Sequence, residues 1–226
     1  MSFSISTAIT PHAAAKLLIS NEIDISSALP LESSTKILDE LLNLSIEECL
    51  SIIDQHPYGN VADAKSIPQF GKIETLRHVP HYFIEKGQTC VDYPQLGFYL
   101  KPDIHASLSA NTKFGENHGK TVSLLGLAQC VNKRICPSAL TNAFCSYSPE
   151  MQINIITKLF FRIPIVQILL SSSFASRTNG YLPMQTLMKS TQQRRSQCLR
   201  AILKTMSSYN NGKLTRRINN IVWEDC

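Results

Sequence analysis

The sequence predicts a mainly α-helical protein with short β-strands, and three observations support this fold class. Apolar residues recur at three- and four-residue spacing through much of the chain, as they do in amphipathic helices. Some of these segments begin with a typical helix start, such as Ser148-Pro149-Glu150. Asn211-Gly212 lies between two short apolar runs and is typical of a two-residue β-hairpin turn.

The composition indicates a folded chain outside the membrane. Hydrophobic residues make up 43% of the 226 residues, which is enough for a packed core. The first ten residues carry no positive charge and no long apolar run, so we expect no secretory signal. The most apolar stretch, residues 153–174, contains Lys158, Arg162 and Pro164 and therefore predicts two buried helices. We expect a cytoplasmic protein without membrane contact.

The seven cysteines are irregularly spaced and include no C-x-x-C pair. Cys130, Cys136 and Cys145, with His118, fit no common zinc-ligand spacing. We therefore expect reduced, partly buried thiols and no metal site.

Charge is distributed unevenly along the chain. Residues 1–60 hold two lysines and eight acidic residues, a balance of −6. Residues 61–150 hold nine basic and seven acidic residues, a balance of +2, and residues 151–226 hold eleven and two, a balance of +9. A basic C-terminal part points to a polyanionic partner, and a solvated basic surface is the alternative.

The first unit, residues 1–60, is an acidic helical segment. Residues 11–56 show helical periodicity, and Ser45 followed by Glu47 and Glu48 is a helix start with acids near the positive end of the dipole. We interpret this segment as a packing element, or as the contact for a homodimer or a protein partner. Residues 57–71 are rich in turn formers and predict a boundary.

The second unit, residues 72–147, has the element order of a winged helix. A helix over 73–86 precedes a short helix that starts at Asp92 and Pro94. A second helix is predicted over 117–129, followed by a strand pair with Lys133-Arg134 at its turn. Helix, short helix, helix and basic turn is the winged-helix order.

The third unit, residues 148–226, repeats this order. One helix runs from Ser148 to about Arg162, a second covers 165–174, and a short one covers 182–189. Ser190 and Gln193 have the spacing of a capping box, which opens a long helix through residue 207. A hairpin with arms 213–218 and 221–223 then follows. The fold class is therefore two tandem winged-helix-like units with short β-wings, preceded by the acidic helical segment.

The helix over 191–206 carries the clearest functional pattern. Leu199, Ile202, Leu203 and Met206 form an apolar stripe, and the opposite face has no acidic residue. Glutamine and arginine suit bidentate contacts with adenine and guanine edges. The helix dipole disfavours arginine in a first turn by roughly 0.3–1 kcal/mol, unless a phosphate binds there. On this helix the predicted DNA-binding residues are Gln193, Arg194, Arg195, Gln197, Arg200 and Lys204.

Two further groups complete the predicted DNA contacts. Lys213, Arg216 and Arg217 would lie on the C-terminal wing and touch phosphate. A second set of polar donors would lie at the entrance to the helix predicted over 117–129: Lys113, Asn117, His118, Lys120 and Thr121. Its Gly-Lys-Thr triplet lacks the earlier glycine of a phosphate loop, since that position is Phe114, so we expect no nucleotide cofactor.

Several short motifs resemble a known family. They are Phe114-Gly-Glu-Asn-His-Gly-Lys-Thr-Val-Ser-Leu-Leu-Gly-Leu-Ala, Leu140-Thr, Ile163-Pro-Ile, Ser190-Thr and Arg194-Arg195-Ser196. Across residues 72–206 they resemble winged-helix modules found beside restriction endonucleases and AAA ATPases in bacterial defence systems. The resemblance implies a module that reads DNA with two recognition helices. A nuclease or ATPase domain, which the relatives often carry, is not visible in this chain.

The sequence does not point to catalysis. The Asp-x-Glu-x-Lys pattern of metal-dependent nucleases is absent, and only a split site using Asp54, Asp63, Glu74 and Lys72 is conceivable. We therefore predict a double-stranded DNA-binding protein, acting as a transcriptional regulator or as the recognition part of a restriction system. The alternatives are a small Mg²⁺-dependent restriction-type endonuclease and an adaptor whose winged helices bind protein.

Overall fold

The described part of the chain is mainly α-helical, as predicted. The computed structural model describes the backbone of residues 3–4 and, with side chains, residues 9–26, 29–55, 62–103, 105–172 and 177–223. The helices within these residues are α1 (Pro11–Ser20), α2 (Leu31–Asn43), α3 (Ile46–Gln55), α4 (Ile73–Leu76), α5 (His78–Lys86), α6 (Tyr93–Leu100), α7 (Leu108–Leu124), α8 (Thr141–Ser146), α9 (Pro149–Leu159), α10 (Pro164–Leu170), α11 (Lys189–Met206) and α12 (Gly212–Asn219).

The strands among the described residues are short and form three small sheets. Their bounds are β1 (Phe3–Ser4), β2 (Ile23–Asp24), β3 (Val91–Asp92), β4 (Ala128–Val131), β5 (Arg134–Pro137), β6 (Thr178–Asn179) and β7 (Ile221–Val222). The strand pairs β1–β2 and β6–β7 are parallel. The third sheet is antiparallel with the order β3-β5-β4, so the strand between α5 and α6 pairs with the second strand of the hairpin.

Residues 149–170 lie at the centre of the hydrophobic core. The apolar side chains of α10, among them Ile165 and Leu169, are buried, and so are Ile155 and Leu159 of α9. This confirms the prediction of two buried helices around Pro164; the residues predicted at the end of the second helix, 173–174, lie outside the described residues. In the described part of the chain, no single helix is long and apolar enough to span a membrane. Pro149–Arg162 and Pro164–Leu170 reach that length only as a pair bent by 72°.

Two buried basic side chains, Lys158 and Arg162, donate hydrogen bonds to carbonyls at the C-terminal ends of α1, α2 and α7. Lys158 donates to the carbonyl of Leu44, which follows α2, at 2.5 Å. Arg162 donates to Leu18 of α1 at 2.7 Å and to Leu124 of α7 at 3.2 Å. The last carbonyls of a helix carry its negative end charge and need donors, so these contacts fasten α1, α2 and α7 to the core.

Capping residues read from the sequence are found where helices begin. Ser148 and Asp92 each accept a hydrogen bond from a backbone amide at the start of α9 and α6. Ser45 and Glu48 form a reciprocal capping box at α3, with the Ser45 amide 2.9 Å from the Glu48 carboxylate. These three predictions are confirmed.

The helix predicted over 117–129 instead covers residues 108–124 as α7. Ser107 caps its start, and Gly126 ends its last turn at a φ of 80°. Residues 128–129 belong to β4, the first strand of the predicted strand pair. The helix predicted over 73–86 is divided into α4 and α5 at Arg77.

The predicted C-terminal hairpin is wrong. Asn211 caps a helix, α12, by accepting a hydrogen bond from the amide of Leu214 at 3.0 Å. Asparagine serves both as a turn residue and as an N-cap, and here the helix buries Leu214 and Arg217. The strand β7 pairs with β6 and not with residues 213–218. The described residues of the third unit, 148–172 and 177–223, therefore form no β-hairpin wing.

Other local predictions also need correction. The capping box at Ser190 does not form, because α11 begins at Lys189 and no side chain caps it. In place of the short helix predicted over 182–189 there is a 3₁₀ turn at Leu182–Met184, and Lys189 already belongs to α11. Cys90 and Cys136 form a disulfide, so the expectation of reduced thiols is wrong for this pair.

Candidate nucleic-acid interface

Helix α11 has the two faces that its sequence predicts. Its apolar stripe of Leu199, Ile202, Leu203 and Met206 is buried. The opposite face contains no acidic residue and exposes Gln193, Arg194, Gln197, Arg200 and Lys204. We call these five residues the outer face of α11.

The cations on the outer face differ in how firmly they are held. Arg200 lies over the Trp223 ring, 5.2 Å from its centroid, and 3.5 Å from the Tyr181 hydroxyl. Arg194 and Lys204 make no ion pair within the described residues, so their charges are free to meet an anion.

Arg195 faces inward and lies in the second turn of α11, in contrast to its prediction as a DNA contact in the first turn. Its guanidinium donates to the carbonyl of Ile67 and to the amide oxygen of Gln69, which lies 2.6 Å from Nε. The side chain is half-buried and makes no ion pair within the described residues. Burial, and then the neighbouring charge of Arg194, hold the pKa of Arg195 below its usual value. Arg195 therefore fixes residues 67–69 to α11.

Helix α7 presents a mixed-charge face. Glu116 lies between two lysines, 2.9 Å from Lys113 Nζ and 2.6 Å from Lys120 Nζ. Hydrogen bonds from Lys120 and Lys113 lower the pKa of Glu116. Glu116 is not among the residues predicted from the sequence, although it lies three residues after Lys113 and four before Lys120, the spacing of ion pairs on a helix.

His118 and Thr121 are buried, so they are not available as DNA contacts. His118 Nδ1 donates to the Phe114 carbonyl at 2.8 Å, and Nε2 accepts from the Gly71 amide at 3.4 Å. Burial lowers the pKa of His118 and keeps the ring neutral. Thr121 Oγ1 accepts from the Gln69 amide at 2.9 Å. Both residues lie in the second half of α7, which starts at Leu108, about two and a half turns earlier than predicted.

Residues 67–71 bring the two candidate helices together. Asn117 of α7 accepts a hydrogen bond from the Gln69 side-chain amide at 2.6 Å, and the oxygen of the same amide faces Arg195 of α11. On the other side, Cys198 of α11 donates to the Phe70 carbonyl at 3.3 Å. A pocket of about 140 Å³ opens between the two helices and this segment.

The pocket is rich in positive charge, and we call it the basic pocket. Its lining residues are Ala64, Lys65, Ile67, Gln69, Lys113, Glu116, Asn117, Lys120, Thr121, Leu124 and Arg195. Four cationic side chains and one carboxylate give it a net charge of +3.

The C-terminal basic residues do not form a wing. Lys213 and Arg216 of α12 are exposed, whereas Arg217 is buried. Arg217 pairs with Asp54 of α3 through both guanidinium nitrogens, at 2.8 and 2.7 Å. Burial opposes ionisation of Asp54, but the bonds from Arg217 and from the Ser172 amide outweigh it and lower its pKa. Arg217 is therefore a structural residue and not a candidate DNA contact.

The β4–β5 hairpin presents basic residues at its turn, as predicted. Asn132 and Lys133 both have positive φ, 49° and 61°, as a type I′ turn requires. Lys133 is exposed at the tip. Arg134 is also exposed, and its guanidinium donates to the Cys90 carbonyl at 3.0 Å.

The metal sites considered from the sequence are not assembled. Cys136 is bonded to Cys90, and His118 is held by backbone groups. Asp54 is paired with Arg217, and Asp63 caps a 3₁₀ turn. Among the residues that the structure describes, no three His, Cys, Asp or Glu side chains are grouped as a metal site would need.

Comparison of the chain with protein-family models, with curated proteins and with solved structures found no match.

Proposed function

We propose that the protein binds double-stranded DNA with the outer face of α11, and that α7 and the β4–β5 hairpin extend the contact. The observation that carries the proposal is the outer face itself. It combines glutamine and arginine with unpaired cations and has no acidic residue along the whole helix. Such a face is suited to base edges and phosphates together.

The architecture of residues 78–137 supports the proposal independently. Helix α5, strand β3, helices α6 and α7 and the β4–β5 hairpin follow one another in this order. The sheet order β3-β5-β4 places the hairpin beside the two helices. This order resembles that of a winged helix-turn-helix, in which α7 would be the recognition helix and the hairpin would be the wing. The segments 148–172 and 177–223 share the helical part of this order, and no hairpin wing is found in these described residues.

The proposed interface divides the polar residues by role. Gln193, Gln197 and Arg200 would contact base edges, because their planar groups make paired hydrogen bonds. The remaining exposed cations would contact phosphate, and these are Arg194, Lys204, Lys113, Lys120, Lys133, Lys213 and Arg216. His118, Thr121 and Arg217 are left out, because each is buried and bonded within the protein.

A charge-matched pair of variants tests the proposal. Arg194→Ala/Lys204→Ala removes two cations from the outer face, and Lys36→Ala/Lys86→Ala removes two exposed cations from α2 and α5. Fluorescence anisotropy with a short random duplex would measure affinity between about 50 and about 200 mM salt. If both cations contact phosphate, the slope of log affinity against log salt should fall by about 1.8 in the first variant only.

Other outcomes identify the alternatives. Equal effects of the two variants would mean that net charge alone attracts DNA, which contradicts a specific interface. Cleavage of the duplex with Mg²⁺ would indicate the nuclease. Absence of binding at about 50 mM salt would contradict DNA binding and leave the protein adaptor. A link to restriction endonucleases or AAA ATPases rests on the sequence resemblance alone.

A further inference from the structure

The basic pocket contains a cation that makes no ion pair within the described residues, although the charge of Glu116 acts on it from a distance. Arg195 lies at its wall, half-buried, with the neutral oxygens of Ile67 and Gln69 as its acceptors. A guanidinium has five N–H donors, so two acceptors do not saturate it. A desolvated cation costs free energy unless an anion compensates it. These contacts fasten residues 67–69 to α11, but both acceptors are neutral and leave the positive charge of Arg195 without an ion-pair partner among the described residues.

The other charged residues of the basic pocket also favour the binding of an anion. Lys65 is exposed at the rim and makes no ion pair within the described residues. Lys113 and Lys120 share the single carboxylate of Glu116, so one positive charge of these three groups remains. The amide side chains of Gln69 and Asn117 also line the pocket.

The size of the basic pocket limits its ligand. A cavity of roughly 150 Å³ is large enough for benzene, which has six heavy atoms. The basic pocket, at about 140 Å³, is therefore matched to a group of about this size. A phosphate group has five heavy atoms and up to two negative charges near neutral pH.

We propose that the basic pocket is a binding site for one phosphate group, held by Arg195, Lys65 and Lys120. Arginine and lysine are the usual partners of phosphate, the former through paired N–H donors. The DNA backbone as the source of this phosphate rests on the proposed function; a free phosphate-bearing small molecule is the other source. Glu116 limits affinity, because its carboxylate repels the ligand and occupies both lysines.

In the first experiment, inorganic phosphate is titrated into the protein, and the heat of binding is measured by calorimetry. The ionic strength is kept constant, and chloride serves as the reference anion. Lys65→Ala should weaken phosphate binding by about tenfold, the effect of one charge-assisted hydrogen bond. Glu116→Gln should strengthen it, because it removes the repulsion and releases Lys113 and Lys120. Both side chains lie at the surface of the pocket rim, and circular dichroism would verify that both variants fold.

The second experiment separates the two sources. Phosphate is added to the protein–DNA complex at constant ionic strength. If the DNA backbone supplies the phosphate group, inorganic phosphate should displace DNA. Lys65→Ala should then lower the slope of log DNA affinity against log salt by about 0.9. Saturable phosphate binding without displacement supports the pocket and assigns it to a free ligand, even if DNA does not bind at all. No saturable binding to either the wild-type protein or Glu116→Gln would overturn the proposal.

Discussion

Arg216 and Arg217 are adjacent in the chain but differ in what they contact. Arg217 is buried and bonded to Asp54 through two nitrogens, whereas Arg216 is exposed. We expect Arg217→Met to lower the free energy of unfolding by about 3–5 kcal/mol, because it leaves a partly buried carboxylate without its partner. Arg216→Met should change it by less than about 0.5 kcal/mol. Urea denaturation measures both.

The double variant Asp54→Asn/Arg217→Met is the control for this pair. Since it removes both charges, it should recover part of the stability lost in Arg217→Met. Equal destabilisation by Arg216→Met and Arg217→Met would contradict the buried ion pair.

His118 links stability to pH. Burial lowers its pKa from the ordinary value of 6.5, so the unfolded chain takes up a proton before the folded chain does. As pH falls below 6.5, the free energy of unfolding should therefore decrease, by at most about 1.4 kcal/mol per pH unit for one group. His78, whose pKa is also lowered by burial, adds to the effect.

His118→Gln tests this contribution, because glutamine keeps a polar side chain that does not titrate. Chemical denaturation between pH 7.5 and 5.5 should give a flatter profile for the variant than for the wild-type protein. Parallel profiles would show that His118 is protonated equally in the folded and unfolded states.

At the level of elements, α6 and α7 cross with their backbones in contact. A Cβ atom at Gly115 would lie 2.0 Å from the Tyr93 carbonyl oxygen, and one at Gly97 would lie 1.9 Å from that of Asn111. We expect Gly115→Ala to destabilise the protein by at least about 1–3 kcal/mol, because the helices must separate. Gly212→Ala is the matched control: its Cβ would meet nothing within 4 Å, so it should be neutral or slightly stabilising. Thermal unfolding of the two variants would show whether the crossing needs glycine.

The β4–β5 hairpin allows stability and binding to be separated. Lys133 occupies a left-handed conformation that costs a non-glycine residue about 1 kcal/mol. Lys133→Gly should therefore stabilise the fold, or leave it unchanged, while it removes a cation from the proposed wing. We expect weaker DNA binding and a salt slope lower by about 0.9, measured by anisotropy. Unchanged affinity would exclude the hairpin tip from the interface.

The elements that the sequence predicted well are those set by local interactions. The caps at Ser45, Asp92 and Ser148 involve amides a few residues away, so their spacing reveals them. The hairpin predicted at Asn211-Gly212 is wrong because the same pair suits both a hairpin turn and a helix cap. Which of the two structures forms depends on the packing of α12 against α3 and α10. The apolar stripe of α11 was readable for the same reason as the caps.

The local sequence does not show which basic side chains are bonded within the protein. Arg195 and Arg217 meet carbonyls of Ile67 and Leu170, which are far away in the chain. A basic residue with such an acceptor has the same sequence signature as one that faces solvent. The pairing of Lys113 and Lys120 with Glu116 lies within one helix and was available from spacing.

In the whole molecule, folding brings part of the acidic N-terminal segment into contact with the basic C-terminal part. Acidic α3 packs against basic α12, where Asp54 binds Arg217 and Glu47 accepts a bond from Asn211. This bond, with a smaller contribution from the charge of Lys213, lowers the pKa of Glu47. The acidic segment therefore neutralises part of the C-terminal excess of positive charge, whereas the outer face of α11 and the basic pocket keep positive charge that is available to an anion.

The same packing predicts that residues 62–226 do not fold on their own. Without the first helices, the buried side chains of Lys158, Arg162 and Gln167 lose the carbonyls of Leu44, Leu18 and Ile19. A buried polar group without its partner costs about 1–3 kcal/mol, and more when it is charged, against a total stability of about 5–15 kcal/mol. The exposed apolar surface of α8, α9 and α10 adds to this cost.

The fragment alone should therefore show no cooperative unfolding transition by circular dichroism, and addition of a fragment of residues 1–56 should restore one. A cooperative transition of the fragment by itself would instead establish residues 1–60 as a separate unit.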